Sequence, residues 1–449
     1  MRYIPNTEED LGRMLQVIGV ASIDDLFAQI PEELRLGRDL DLPPPLAEPQ
    51  LMAHLGELAS RNRDATRVRS FLGAGVYRHV APTAVDALVR RGEFFTAYTP
   101  YQPELAQGTL QAIFEFQTMV AELLGTEVAN ASLYDGSTAT AEAILMARRV
   151  TRRDVTVVAQ TVHPEYRQVA HTYLEGIGEA GTGDLVEVGF AGGTTDLAAL
   201  AEAIDGRTAA VVVQHPNFFG CLEDLDAIAK LAHDKGALLV VVNTDPTAFG
   251  LLEAPGAYDA DIVVAEGQAL GVPLSFGGPH VGLFGTRTKF VRQVPGRLCG
   301  QTVDVDGKRG YVLTLTTREQ HIRREKATSN ICTNQGLVAL QVCIYLSLMG
   351  PRGLERVART SLAHAHRFRA AVAKMPGYGL LFPDAAIYHE VAVRTPIPAV
   401  DLVERLMTKD IAAGVPLGQF YPGMEHALLV NFTEVHSEAD VEALLAALP

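Results

Sequence analysis

The sequence is poor in cysteine and has no long apolar run. Its cysteines show no CxxC spacing, which favours reduced thiols over a zinc site; they are Cys221, Cys299, Cys332 and Cys343. No apolar run approaches the roughly 18 residues that a membrane span requires, and the N-terminal residues lack the apolar segment of a signal peptide. We therefore expect a cytoplasmic protein that does not enter a membrane.

An excess of positive charge is also missing, as are the glycine motifs of nucleotide sites. The chain has 38 Lys and Arg against 53 Asp and Glu, for a formal charge of −15, which counts against a nucleic-acid surface. Neither a GxGxxG after the first strand nor a GxxxxGK[ST] occurs, which counts against dinucleotide and P-loop folds. The one dense basic stretch, 318–326, is interleaved with acids and predicts a solvated helix.

The most informative absence is a lysine. An apolar run ends just before Asp245, and a second one, 261–267, leads into a loop that begins with Gln268. In a large class of pyridoxal-phosphate (PLP) enzymes, an Asp after the first strand pairs with the ring nitrogen, and the next strand delivers a lysine for the Schiff base. Here no lysine lies between Lys235 and Lys289. Either PLP is the wrong cofactor or the chain cannot perform the chemistry alone.

Short β-rich apolar runs alternate with amphipathic helices in the middle of the chain. The runs predict strands at 155–160, 185–190, 209–214, 237–242, 261–266 and 280–285. Helical spacing predicts helices at 108–125, 137–150, 165–178 and 224–236. This alternation predicts an α/β fold with a mostly parallel sheet and helices on both faces.

The pattern divides the chain into three predicted parts. Residues 1–65 form a helical arm that is interrupted by consecutive prolines. Residues 66–335 form the large α/β domain. Residues 336–449 form a small α+β domain, in which two helical stretches, 333–350 and 353–375, precede weaker strands.

One predicted helix begins at a sequence that suits an anion. Asp135, Gly136, Ser137 and Thr138 combine a tight turn, two hydroxyls and free backbone N–H groups, as a phosphate ester requires. The alternative interpretation is an ordinary N-cap, because Ser and Thr after Gly also serve that purpose.

Two further residues follow predicted strands. His163 would lie where ligands of α/β folds bind, and its ring could stack on a cofactor or simply cap the next helix. Asp245 follows a buried strand, where a carboxylate is costly unless it is paired. With residues 135–138 these positions outline a phosphate cradle, a ring platform and a partner for a protonated ring nitrogen.

A Tyr- and Pro-rich loop precedes the sheet. Its Tyr98 and Tyr101 are candidates to line a substrate channel or reach a partner subunit, and loop packing is the alternative.

Several long motifs, spread over essentially the whole chain, resemble the P-protein of the glycine cleavage system, a PLP-dependent glycine decarboxylase. They are FLGAGVYRHVAP (71–82), TAYTPYQPELAQGTLQAIFEFQT (96–118), NASLYDGSTATAEA (130–143), AEGQALGVPLSFGGPHVG (265–282) and TREQHIRREKATSNICTNQ (317–335). The similarity is to the N-terminal half of that family, its subunit 1 or α type.

The resemblance implies a PLP-transferase fold of type I with a sheet of the seven-stranded type. It implies that subunit 2 (β) carries the Schiff-base lysine and mainly holds PLP, so that Gln268 matches the family and this chain has no catalytic residue. It also implies an α2β2 assembly and a lipoylated H-protein as a second partner. Asp135–Thr138, His163 and Asp245 then become a vestigial pocket or interface positions.

The implied reaction releases CO2 from glycine and passes the aminomethyl group to the lipoyl arm of H-protein. This chain would supply part of the subunit interface and one wall of the channel. Two alternatives stay open. One is a non-catalytic scaffold or regulatory protein derived from a PLP fold, and the other is a self-sufficient enzyme that uses Lys289 or Lys326.

Overall fold

A computed structural model of the chain describes residues 5–175 and 184–449. The end of the helix predicted at 165–178 therefore lies outside the described residues. The chain forms two compact units, Met1–Arg63 and Asp64–Pro449, and the predicted boundaries after residues 65 and 335 stay predictions.

The described α-helices are α1 Glu8–Ile18, α2 Glu48–Ser60, α3 Thr83–Val89, α4 Gly92–Phe95, α5 Gln107–Leu124, α6 Gly136–Thr151, α7 Pro164–Leu174, α8 Leu197–Ala203, α9 Leu225–Asp234, α10 Gln320–Arg323, α11 Gly336–Val372, α12 Ala399–Met407 and α13 Glu438–Ala447. The described strands are β1 Arg69–Ser70, β2 Val128–Ala129, β3 Val155–Ala159, β4 Leu185–Val188, β5 Phe190–Ala191, β6 Thr194–Thr195, β7 Thr208–Gln214, β8 Leu238–Asn243, β9 Ile262–Glu266, β10 Gly282–Thr286, β11 Leu298–Val303, β12 Arg309–Thr314, β13 Gly379–Leu380, β14 Glu390–Arg394, β15 Ile411–Ala412, β16 Val415–Pro416 and β17 Ala427–Asn431.

The first unit contains α1 and α2. Thr7 and Asp10 form a capping box that begins α1, and Gly19 ends it in a left-handed conformation with φ of +87°. Helix α2 follows the proline-rich stretch. Two of the helices expected in this segment are present, but the helical spacing at 22–30 gives only a 3-10 turn, Asp24–Phe27.

A seven-stranded sheet organises the second unit, in the order β2-β10-β9-β8-β7-β3-β4. Strands β9, β8, β7, β3 and β4 run parallel, whereas β10 runs antiparallel to β9 and β2. Every residue of β7, β8 and β9 is buried, because helices cover both faces of a parallel sheet. The predicted mostly parallel sheet is confirmed.

A second, antiparallel sheet of order β13-β14-β17-β16 lies in the C-terminal part. A hydrophobic cluster beneath it includes Phe368, Leu402, Leu428 and Leu444 from α11, α12, β17 and α13, together with Phe218 from the large part of the chain. The predicted small α+β region is therefore present.

Helix α11 joins the two helical stretches that the sequence predicts near residue 350. The helix breaks at Gly350, whose φ of +57° is not helical, and Pro351 follows. Because proline has no N–H to donate to the preceding turn, the two halves meet at a bend.

Among the described residues, α11 alone is long and apolar enough to cross a membrane by length and composition. Its residues Val342 and Tyr345 are buried in the core around the large sheet. One face of α11 therefore packs on this core.

The helix predicted at 318–326 is wrong. The structure has only the single turn of α10 between two short 3-10 turns. Arg318 folds back, and its guanidinium donates to the carbonyls of Val294 and Gly296. These tertiary bonds favour a compact loop over an extended solvated helix.

Candidate functional site

The carboxyl ends of β3, β8 and β9 bring together the residues that the sequence singled out. His163 follows β3, Asp245 follows β8, and Gln268 follows β9. All three contact one segment, residues 73–79, through Ala74, His79 and Tyr77 respectively. We call this segment the 73–79 segment.

The start of α6 is an N-cap, and most of its donors are already used. The Asp135 carboxylate accepts from the backbone N–H of Thr138 at 2.7 Å and from the Ser137 hydroxyl at 2.8 Å. The Gly136 N–H donates to Glu266 Oε2 at 2.9 Å. A methyl group added at Gly136 would meet the Tyr166 hydroxyl at 2.5 Å, so Tyr166 closes that side of the turn.

Glu266, at the end of β9, occupies the position that an anion would take. It is buried and accepts the N–H groups of Gly136, Gln268 and Val281. Burial raises the pKa of Glu266 to about 8, although these hydrogen bonds oppose the rise. A carboxyl group of the protein itself therefore satisfies the helix N-terminus.

His163 begins α7 as a cap. Its Nδ1 accepts the Glu165 N–H at 3.2 Å, so the proton is on Nε2, which donates to the Ala74 carbonyl at 2.8 Å. Burial lowers the pKa of His163, which favours the neutral ring. His163 is therefore a helix cap, which was the alternative interpretation. Its other nitrogen, Nε2, which could have faced a ligand, is bonded to the Ala74 carbonyl.

Asp245 is buried and already has a cationic partner. Its Oδ2 lies 3.0 Å from His79 Nε2, and its Oδ1 accepts the hydroxyl of Thr247 at 2.6 Å. On its other side, His79 Nδ1 lies 2.6 Å from Glu434 Oε2. His389 Nε2 lies 2.7 Å from Asp245 Oδ2, but its N–H is not aligned for a hydrogen bond with any described residue.

The pKa values follow from this geometry. Burial alone would lower the pKa of His79, but the carboxylates of Asp245 and Glu434 raise it to about 10. Burial alone would raise the pKa of Asp245, yet His79 and His389 hold it well below its usual range. His79 is therefore an imidazolium between two carboxylates at neutral pH.

Gln268 is held at both ends of its amide. Its Oε1 accepts the Tyr77 N–H at 3.0 Å, and its Nε2 donates to the Val272 carbonyl at 2.9 Å. Neither alternative lysine lies here: Lys289 is 58% exposed and faces Asp261, and Lys326 is exposed at the end of a 3-10 turn.

These residues do not fit PLP. No lysine is present, Asp245 already has an imidazolium on the oxygen that would face a ring nitrogen, and the N-terminus of α6 is closed by Glu266 and Tyr166. The chemistry of a Schiff base cannot be supplied by this pocket.

A cavity of about 230 Å³ lies elsewhere, between α5, the loop after α4 and the start of α11. Its lining is mainly apolar and includes Phe94, Tyr98, Ile113, Phe116, Leu337 and Leu340. Tyr98 is 88% exposed at its rim. The predicted channel residue Tyr98 thus borders an open space.

Tyr101 has a different position. Its hydroxyl accepts from the buried guanidinium of Arg297 at 2.9 Å, and the same guanidinium donates to Thr333 at 2.6 Å. Arg297 also lies 3.4 Å from Glu319. It thereby ties the tyrosine loop to the segment before α11, and both carry lining residues of the cavity.

Five residues of the pocket were not predicted from the sequence: Tyr77, His79, His389, Glu390 and Glu434. Tyr77 and His79 stand in the 71–82 motif, but nothing local indicates that they turn inward. Glu390 begins the apolar strand β14, and a carboxylate at such a position is a signal for a buried partner.

Comparisons with known proteins agree along the full length. A family model described as glycine cleavage system P-protein matches residues 1–448. The probable glycine dehydrogenase (decarboxylating) subunit 1 of Sorangium cellulosum is 52% identical over 452 residues, which cover 100% of this chain and 99% of that protein. The protein of the same description from Desulforamulus reducens is 48% identical over 448 residues, with 100% and 99% covered.

Solved structures are similar as well. The crystal structure of glycine decarboxylase (P-protein) of the glycine cleavage system, in inhibitor-bound form, has a TM-score of 0.89 and 47% identity, and the match covers 100% of this chain and 99% of that one. The sphingosine-1-phosphate lyase of Burkholderia pseudomallei has a TM-score of 0.65 at 16% identity, with 93% of each chain covered, and shows the fold alone. The predicted fold class, type I of the PLP-dependent enzymes, is confirmed.

Proposed function

This chain belongs to the glycine cleavage system P-protein family, and from that premise we propose that it is the non-lysine subunit of a glycine decarboxylase. Its relatives from Sorangium cellulosum and Desulforamulus reducens are described as subunit 1 and match it from end to end. The observation that carries the proposal is the pairing of that likeness with Gln268, which stands in the loop after β9 where a Schiff-base lysine is required.

We infer that subunit 2 carries the lysine and holds PLP, and that glycine loses CO2 there. The lipoyl arm of an H-protein then accepts the aminomethyl group, and the assembly is α2β2. The support is chemical, because the closed pocket of this chain offers neither a free amine nor an unoccupied anion site.

The contribution of this chain is a wall beside the partner's active site. Exposed apolar side chains around the open cavity support this role: Tyr98 and Leu105 are almost fully exposed, and Phe95 is largely so. Large apolar groups in such a cluster are typical of a surface that another protein covers. The four cysteines are free thiols, which accords with a cytoplasmic assembly.

The direct test is reconstitution. The chain is purified alone, its lysine-bearing partner is purified alone, and release of CO2 from labelled glycine is measured for each and for the mixture with lipoylated H-protein. We expect activity only in the mixture. If the partner alone is as active as the mixture, the scaffold alternative is correct.

Gln268→Lys in the isolated chain separates this proposal from the self-sufficient alternative. A lysine here cannot accept the Tyr77 N–H, and the pocket around it has no place for the cofactor. We expect neither decarboxylation nor an aldimine absorbance that borohydride removes. Glycine decarboxylation by that variant alone contradicts the division of labour between subunits.

A further inference from the structure

The 73–79 segment crosses the space between the predicted ring platform and the predicted ring-nitrogen partner. The Ala74 carbonyl lies on His163 Nε2 at 2.8 Å. At Gly75 the approach is so close that a Cβ atom would lie 2.6 Å from that nitrogen, and the backbone φ is +99°. Only glycine allows the chain to pass here.

Tyr77, in the middle of the segment, forms hydrogen bonds to residues of both sheets. The Tyr77 N–H donates to Gln268, and its hydroxyl donates to Glu390 Oε2 at 2.9 Å. Glu390 Oε1 accepts the Ala74 N–H at 2.7 Å. Tyr77 is buried in this position, as is Glu390.

The far end of the segment supplies a cation. The His79 side chain is 2% exposed and lies between Asp245 and Glu434. Two neighbouring backbone groups are also held, since Thr433 donates to the Arg78 carbonyl and Glu434 accepts the Val80 N–H.

We propose that the 73–79 segment is a permanent internal occupant of this pocket, which takes the positions of PLP with groups of the chain itself. His79 stands on Asp245 in place of the protonated ring nitrogen, Ala74 stands on His163, and Glu266 closes the helix N-terminus in place of the phosphate. The segment thereby excludes PLP from this chain. This inference concerns the isolated chain and does not depend on the proposed activity.

The segment could instead be a lid that opens to admit a ligand. Its contacts argue against that. Opening would break hydrogen bonds to Gln268, Glu390 and Glu434 and leave buried carboxylates unpaired. An unpaired buried charge is strongly destabilising. The segment is therefore held in place by its buried Tyr77 and His79 side chains, although Val76 between them is exposed.

A bound cation is the other competing occupant. His79, Asp245 and His389 place their ligand atoms within 4.8 Å of one another. The His79–Asp245 distance of 3.0 Å is that of a hydrogen bond, and both nitrogens of His79 already face carboxylates. These distances favour an imidazolium over a metal ligand.

The first experiment is hydrogen exchange of the full-length unmodified chain, with and without millimolar PLP, read by mass spectrometry on peptides that cover residues 71–79. We expect protection that PLP leaves unchanged, and no PLP retained after dialysis. PLP retained at one per chain, faster exchange of these peptides on adding PLP, or unprotected exchange without it overturns the proposal. So does a stoichiometric metal in the purified chain, measured by elemental mass spectrometry.

The second experiment is Gly75→Ala, with Gly307→Ala as its matched control. Both glycines have positive φ, but a Cβ at Gly307 meets nothing within 4 Å. Gly307→Ala therefore controls for a loss of overall stability from an alanine with positive φ. Exchange in peptides 71–79 then reports the local effect at residue 75, where backbone strain and the contact with His163 act together. We expect exchange in peptides 71–79 to rise about tenfold or more in Gly75→Ala and to stay unchanged in Gly307→Ala. Equal exchange in the two variants contradicts a close-packed occupant, and the unmodified chain still decides the matter if Gly75→Ala does not fold.

Discussion

The pocket around Asp245 and the cavity beside Tyr98 differ in burial, polarity and accessibility. The pocket is buried, rich in ionisable groups and closed by bonds within the chain. The cavity is open, mainly apolar and bordered by exposed side chains. In an α/β fold the ligand is expected at the carboxyl ends of the strands, yet here that place is filled and the free space lies elsewhere.

A place where a ligand is expected can instead be filled by the protein itself, with its polar residues kept. Asp245 and His163 retain the positions expected of ligand contacts, but each has a protein group as its partner. Buried charges persist when they are paired. The presence of ligand-type residues at strand ends is therefore not evidence of a ligand until their partners are known.

The largest expected effect comes from removing the cation of the pocket. His79→Leu leaves Asp245 and Glu434 buried without it, and we expect the free energy of unfolding to fall by about 3–5 kcal/mol. Urea unfolding followed by circular dichroism measures the change.

The control is His233→Leu. His233 lies 2.8 Å from Asp261, but its side chain is 33% exposed, and Arg287 lies 3.2 Å from the same carboxylate. We expect a loss below about 1 kcal/mol. Similar losses for the two variants would mean that the pocket is no more tightly built than this partly exposed pair.

The dependence of stability on pH also tests whether His79 is charged in the folded chain. The pKa of His79 in the folded chain, about 10, lies above its ordinary value of 6.5. Its contribution is therefore fully present below pH 6.5 and is lost as the pH rises through about 10. The pKa of Asp245 is lowered, so its contribution is present above pH 3.8 and is lost as the pH falls further.

Unfolding midpoints measured across this range should decline on the alkaline side in the unmodified chain. The decline should be smaller in His79→Leu, which has no imidazolium to lose. An identical alkaline decline in both proteins would assign it to other groups.

The smallest effect on stability is expected in the open cavity. Ala112 lines it, and Ala112→Leu should fill part of the space while changing the free energy of unfolding by less than about 1 kcal/mol. If the cavity faces the partner's active site, activity of the reconstituted complex should fall about tenfold.

Ala198→Leu, at an exposed position of α8, is the control and should leave activity unchanged. Full activity of Ala112→Leu would mean that the cavity is not part of the catalytic channel. Only the pocket around Asp245 would then bear on function.

Much of the fold was predictable because its signals are local. Apolar runs such as those of β7 and β8 indicate strands buried on both faces, and Gly19 and Gly125 mark the ends of α1 and α5. The error at 318–326 has the opposite cause. Arg318 bonds to carbonyls more than twenty residues away, and helical composition carries no information on such contacts.

The sequence indicated where the site residues lie but not which groups they would contact. Asp245 and His163 could be placed at strand ends, and residues 135–138 at a helix start, because strand and helix boundaries follow from composition. Their partners could not be placed. His79 was part of a recognised motif, but its direction depends on tertiary packing.

The sequence alone indicates a mostly parallel α/β sheet. It also shows that no amine stands where a Schiff base requires one, because Gln268 has none. What fills the pocket follows only from the three-dimensional fold. Asp245 and Glu434 are separated from His79 by 166 and 355 residues, and no local preference relates groups so distant. They meet because the fold buries them together, and in the low dielectric of the interior each carboxylate requires the imidazolium that the other also holds.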